Sequence, residues 1–217
     1  MIFRTFPVGW LQCNCVILGC ETTRRALVLD PGDEVDRILA VLQEEGLTLQ
    51  GVLHTHAHLD HVGATAPLAA ATGAPILLHA ADRPLYEAAA EQASWMGIPP
   101  PRMSPVDRYL GDGESISWGA RTGEVIHTPG HTPGSLCLRV PWLQDDGAAG
   151  PEHLFAGDTL FAGSIGRTDL WGGDEHQILR SIRRRLLTLP DETVVWPGHG
   201  PATTIGRERR DNPFLAG

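Results

Sequence analysis

Residues 49–62 read LQGVLHTHAHLDHV, an apolar run that ends in four histidines and an aspartate within eight positions. Leu49–Leu53 has the length and composition of a buried strand. In an extended chain every second residue points the same way, so His56, His58 and Asp60 share one side of the turn that follows. His61 then leaves on the next helix. Packing gives no reason to concentrate imidazoles and a carboxylate at a strand end, so the stretch reads as a set of metal ligands.

The same placement, a polar ligand type at the end of an apolar strand and beside Gly or Pro, recurs three times further along. His131 lies in HTPGHTPGS (127–135), Asp158 in FAGDTLF (155–161) and His199 in WPGHGP (196–201). Together with the first cluster they make five His and two Asp, which divide into two metal sites sharing one bridging carboxylate. Thiolates are absent from the set, so borderline divalent ions, Zn(II), Fe(II) or Mn(II), suit it. Of the remaining histidines, His54 reads as a residue that supports the ligands or packs in the strand. His127 has two equal readings, support for His131 or plain packing, and His79, His153 and His176 carry no pattern.

Outward from these motifs, short apolar runs predict strands at Ile2–Val8, Val16–Cys20, Ala26–Leu29, Ile76–Leu78, Ser115–Trp118, Gly123–His127, Ser135–Val140, Leu154–Ala156 and Thr193–Trp196. Helical spacing of apolar residues predicts helices over 33–45 and 174–189, with Arg180, Arg183, Arg184 and Arg185 on the solvated face of the second, and the Ala-rich stretch 62–72, closed by Gly73, reads as a further helix. Residues 81–105 begin as a helix and end in the triple proline 99–101, which reads as a surface excursion or lid. Residues 144–150, QDDGAAG, read as a hairpin turn. Strands alternating with helices in both halves point to two sheets facing each other with helices outside.

The chain has 217 residues, which favours one domain spanning 1–217. All 17 basic residues are Arg, so Schiff-base and P-loop lysines are excluded, and a net charge of −9 leaves no basic stripe for a phosphate backbone. Nucleic acid is therefore not an expected partner. No basic start followed by an apolar segment and a cleavage site is visible, and the apolar stretches are broken before the ~18 residues of a membrane helix. The four Cys, at 13, 15, 20 and 137, do not space as a disulfide framework. Reduced, packed thiols in a soluble cytoplasmic protein are the expectation, with no role assigned to the C-x-C pair Cys13 and Cys15.

The segments THAHLDH (55–61), PGHTPG (129–134), GDTLF (157–161), GRTD (166–169) and GHGP (198–201), in this order, resemble the metallo-β-lactamase fold hydrolases, and within them the glyoxalase II group. The resemblance covers nearly the whole chain and implies an α/β fold, a four-layer αβ/βα sandwich. It implies that His56, His58 and His131 hold one metal, that Asp60, His61 and His199 hold a second, and that Asp158 bridges them, Zn(II) being the leading ion. The reaction it implies is hydrolysis of a small anionic glutathione thioester, S-D-lactoylglutathione, to D-lactate and glutathione. The attacking group would be a metal-bound hydroxide, oriented or relieved of its proton by Asp60. Arg167 falls where longer relatives place a basic residue toward the glutathione carboxylate, with a loop ion pair as its other reading. The chain ends 18 residues after His199, which resembles the short single-domain subgroup. A hydrolase of another small thioester is a further alternative. So is a persulfide dioxygenase of the same fold, using one Fe(II) on His56, His131 and Asp158. A β-lactamase proper is disfavoured, because Asp158 is a carboxylate those enzymes lack. Oligomeric state is not expected to be legible at this level.

Overall fold

The computed structural model describes residues 1–142 and 149–215. Its contacts gather into two compact units, Met1–Leu110 with Ser117–Arg121, and Gly111–Ile116 with the chain from Thr122 onward. In the first unit, β1 (Ile2–Val8), β2 (Cys13–Gly19) and β3 (Arg25–Leu29) are neighbours, joined antiparallel. α1 (Val35–Glu44) then turns Ile38 and Leu42 inward and leads to β4 (Thr48–Leu53). Two short helices, α2 (Leu59–Val62) and α3 (Thr65–Thr72), precede β5 (Ile76–His79), and α4 (Arg83–Glu87) and α5 (Ala89–Met96) precede β6 (Arg108–Leu110). From β3 onward the pairing is parallel, each step bridged by helix, and the sheet order is β1-β2-β3-β4-β5-β6. A core of Ile17, Val28, Ile38, Leu42, Val52 and Leu68 closes one face of this sheet.

The second unit is built on a sheet that runs β7 (Ser115–Trp118), β8 (Arg121–His127), β9 (Leu136–Val140), β10 (His153–Gly157), β13 (Val194–Pro197) and β14 (Thr203–Thr204) from edge to edge. Between β10 and β13 come the small ribbon β11 (Leu160–Phe161) and β12 (Ser164–Ile165) and the helix α6 (Glu175–Ser181). α6 continues through a π-type turn at Ile182–Leu186. α7 (Ile205–Asp211) follows β14. β10 and β13 run parallel, with Gly157 opposite Pro197, so the residues just past both strand ends leave side by side. Ile178, Ile182 and Leu186 bury the apolar stripe of the α6 segment against Leu154, Ala156 and Val195.

Several expected elements are reshaped. β2 starts at Cys13, three residues earlier than its apolar run, because Cys13 and Cys15 pair with Val8 and Phe6. The helix expected over 62–72 is found as α3 from Thr65, with a separate turn of helix, α2, ahead of it and a break at Gly63 between them. A Cβ on Gly63 would collide with the carbonyl of Gly32, and one on Gly32 with the carbonyl of Asp60, so two chain segments approach as closely as backbone permits. The stretch 83–96 is not a surface excursion. Leu85, Tyr86, Ala89, Gln92 and Ala93 are buried on one side of its helices, while Arg83, Glu87, Ala90, Glu91 and Ser94 on the other side are exposed. The turn expected at 144–150 falls largely outside the described residues. Among the described residues no helix is long and apolar enough to cross a membrane.

Candidate metal ligands

In the first unit the ligand loop begins where β3 and β4 end side by side, the carboxyl edge at which open parallel sheets collect function. Asp30, at the end of β3, is buried and held in the left-handed backbone region with φ 50°. Its carboxylate accepts from Thr55 N at 2.8 Å, from Thr55 Oγ1 at 2.7 Å and from His61 Nδ1 at 3.1 Å. Because the Thr55 hydroxyl spends its proton on Asp30, its oxygen accepts from His56 Nδ1 at 3.1 Å. Both imidazoles are thereby fixed with the proton on Nδ1 and the lone pair on Nε2.

The rings gather tightly. His56 and His61 have centroids 4.0 Å apart, His56 and His58 meet edge to face at 4.9 Å, and Asp60 Oδ2 lies 3.6 Å from His61 Nε2. Two buried polar residues from elsewhere clamp the backbone between them. Asp82 accepts from Ala57 N at 2.9 Å, while Gln92 accepts from Leu59 N at 2.9 Å and donates to Ala57 O at 3.1 Å. Residue-by-residue reading misses Asp30, Asp82 and Gln92, whose only sequence signal is a polar residue in an apolar setting.

His54 lies behind this cluster, its Nδ1 3.9 Å from Asp30 and its Nε2 3.0 Å from the Thr65 hydroxyl, and burial pushes its pKa down to about 4, so it is a neutral supporting residue. Cys13 lies against the back of His61, Sγ to Nδ1 3.5 Å, and burial pushes the thiol up to about 12. Its sulfur faces Nδ1, the opposite ring nitrogen from the Nε2 that carries the lone pair, so Cys13 packs behind the ligand.

In the second unit His131, Asp158 and His199 come together. Asp158 Oδ2 is 3.7 Å from His131 Nε2 and 3.7 Å from His199 Nε2, which places the carboxylate between two imidazoles. His131 Nδ1 donates to the carbonyl of Arg167 at 2.7 Å, again leaving the lone pair at Nε2. The His131 loop is tied down by His127, whose Nε2 donates to Pro133 O at 2.9 Å, and by the Ser181 hydroxyl on Pro129 O at 2.7 Å. Of the two readings of His127, support for the His131 loop is the one found. Asp158 and His199 follow the parallel ends of β10 and β13, locked by Gly198 N to Gly157 O at 2.8 Å. A cavity of about 450 Å³ opens beside them, lined by Asp158, His199, Phe161 and Arg167. The Arg167 guanidinium forms a bidentate pair with Asp169, both contacts 2.7 Å, and both side chains are exposed. The ion pair read as Arg167's alternative is thus present, and it holds Asp169 down at about 2.

His79, His153 and His176 stay outside both clusters. His79 caps the turn after β5, His153 stacks on Trp142, and His176 is exposed on α6.

The donor set fits borderline divalent cations. It offers imidazole nitrogens and carboxylate oxygens, and His56, His61 and His131 each present Nε2 because Nδ1 is engaged behind it. Comparison with known proteins agrees with the chemistry. The sequence profile of the Metallo-beta-lactamase superfamily matches residues 8–199. The chain is 37% identical to "Hydroxyacylglutathione hydrolase GloC" of Haemophilus influenzae over 99% of its own length and 98% of that protein's. Among solved structures it is similar to the "BLEG-1 B3 metallo-beta-lactamase", with a TM-score of 0.88, 39% identity and 100% of both chains covered. It is also similar to "TTHA1623 in a di-iron-bound form", with a TM-score of 0.83, 43% identity, and 98% of this chain and 100% of that one covered. Two mixed sheets with helices and His-rich loops at their strand ends have the metallo-β-lactamase fold, and the chain belongs to the metallo-β-lactamase superfamily of metallo-hydrolases.

Proposed function

We propose that the chain is a dinuclear metal-dependent hydrolase of glutathione thioesters, with S-lactoylglutathione as the reference substrate. The observation that carries the reading is the donor set itself: three imidazoles with the lone pair at Nε2, His58 beside His56, His199 beside Asp158, and the carboxylates of Asp60 and Asp158. His56, His58 and His131 would hold one ion, Asp60, His61 and His199 the other, and Asp158 would bridge. When bound, divalent ions supply Lewis-acid polarisation of the carbonyl and acidify water toward neutral pKa.

The protein's own groups do the rest. Asp60 orients the attacking water and receives its proton, Asp30 and Thr55 keep His61 and His56 from rotating, and Arg167 at the rim of its cavity meets the anionic end of the substrate. Water adds to the thioester carbon, the C–S bond breaks, and the sulfur departs as thiolate. With a thiol pKa of about 8.5 it needs little help from a general acid. The likeness to a hydroxyacylglutathione hydrolase over nearly the full length supports this substrate class. Zn(II) is the proposed ion, with iron as the alternative that a di-iron neighbour favours. Four free, buried thiols support a reducing cytoplasmic setting.

The equally long likeness to a protein described as a B3 metallo-β-lactamase favours a second reading, opening of a strained cyclic amide by the same groups. Thiol release from S-lactoylglutathione without oxygen, abolished by chelation and restored by Zn(II) or Fe(II), is the expected result. Cleavage of a cephalosporin but no thioester replaces the first reading by the second. Oxygen consumption with glutathione persulfide and no thioester cleavage replaces both by the dioxygenase.

A further inference from the structure

Within the first unit a cavity of about 190 Å³ opens against the ligand loop, and Asp60 forms part of its wall. Apolar side chains make up much of the rest, Trp10 at the tip of the β1–β2 turn, Leu59 on α2, and Met96 and Ile98 where α5 ends, with Asp33 as a second carboxylate. Leu59, Met96 and Ile98 belong to one packed cluster with Ala89 and Ala93, so that side of the cavity is preformed. Trp10, in the turn between β1 and β2, is 65% exposed. An indole left in water beside an apolar cavity finds its burial when something fills the space. The only ionisable groups in the wall are two carboxylates, Asp33 and Asp60.

Resting on the thioester-hydrolase reading above, we propose that this cavity is the acyl pocket and that it takes a neutral apolar acyl group, branched aliphatic or aromatic, in preference to a small hydroxyacyl one. Its location follows from Asp60: the carbonyl that reacts beside that carboxylate has its acyl substituent within reach of the cavity. Its charge excludes the other half of the substrate. The carboxylates of glutathione would face Asp33 with no basic side chain in the wall, whereas Arg167 lines the cavity of the second unit. Its size excludes a whole thiol carrier, since a cavity of about 150 Å³ lined by aliphatic side chains holds a benzene ring. A lactoyl group would leave most of that space empty.

The test is a series of S-acylglutathiones running from acetyl to octanoyl, with phenylacetyl and the anionic glutaryl thioester added, assayed on the wild type, Trp10→Ala and Ile98→Ala. Trp10 is exposed, so its removal leaves folding intact, and Ile98 gives an independent probe of the opposite wall. The same acyl chains are also offered as S-(2-oxoalkyl)glutathione ketones, which cannot be hydrolysed, with binding read by calorimetry. The expected wild-type result is kcat/KM rising up to about fourfold per methylene to a chain of about six carbons and then levelling, with glutaryl well below its neutral isostere. Ketone affinity should follow the same order, and both variants should flatten the ratio of hexanoyl to acetyl. Equal kcat/KM across the series, preference for glutaryl, or slopes retained in both variants overturns the acyl pocket while leaving the hydrolase reading standing. Ketone binding that depends on chain length, with no thioester cleaved, keeps the pocket and overturns the hydrolase. Neither cleavage nor chain-length dependence removes both.

Discussion

Asp30 shows how much of the ligand chemistry is decided behind the ligands. Its carboxylate is the shared acceptor for Thr55 and His61, and through the Thr55 hydroxyl it sets the proton on His56. Asp30→Asn should keep the volume but lose the charge and one acceptor, and metal affinity should fall by about 10- to 100-fold. Metal titration followed by equilibrium dialysis checks this, and unchanged affinity would reduce Asp30 to a packing role. Arg167 belongs to the same scale. Arg167→Ala should raise KM for a glutathione thioester more than it lowers kcat, because a remote ion pair stabilises ground and transition states alike. Since Asp169 already shares the guanidinium, the rise should be modest, about 3- to 10-fold, and an unchanged KM would leave only the loop pair. The ligand types were legible in the sequence because their chemistry is carried by identity and spacing alone. Asp30, Asp82 and Gln92 were not, since their partners lie 25 to 35 positions away and appear only after the sheet and helices bring them together.

At the level of elements, α5 is a clamp on the ligand loop. Gln92 satisfies Leu59 N, Ala57 O and Leu85 O from a fully packed position. Gln92→Leu would strand three buried backbone groups, so destabilisation of about 2 to 4 kcal/mol in urea unfolding is expected, together with weaker metal binding. A loss below 0.5 kcal/mol would mean that other groups hold the loop. Strong periodicity made α1 and β1 readable to within two residues, and β7 appeared at its expected bounds. The break at Gly63 and the short pairs β11, β12 and β14 escaped because they answer to close backbone approach and to single ladder steps, which leave no hydrophobic period.

For the whole molecule, acid stability has an identifiable component in the second unit. His153 on β10 stacks on Trp142 with centroids 3.7 Å apart, and its Nδ1 accepts from Trp196 Nε1 at 3.1 Å. Burial lowers its pKa to about 4, and protonating Nδ1 would also remove the acceptor that Trp196 uses. The unfolded chain takes up the proton near pH 6.5, so this contribution is complete above that pH and is lost as pH falls from 6.5 toward 4. Unfolding free energy should drop by about 2 to 3 kcal/mol over that window, and His153→Gln should flatten the slope there. An unaltered slope would assign acid sensitivity to the ligand histidines instead.

The most direct measurement is anomalous diffraction from a crystal of the metal-loaded protein, which counts the ions and names their ligands. Two peaks about 3.5–4 Å apart are expected, one touching His56, His58 and His131, the other Asp60, His61 and His199, with Asp158 between them. A single ion, or ions held by either set of residues without the other, would contradict a dinuclear hydrolase.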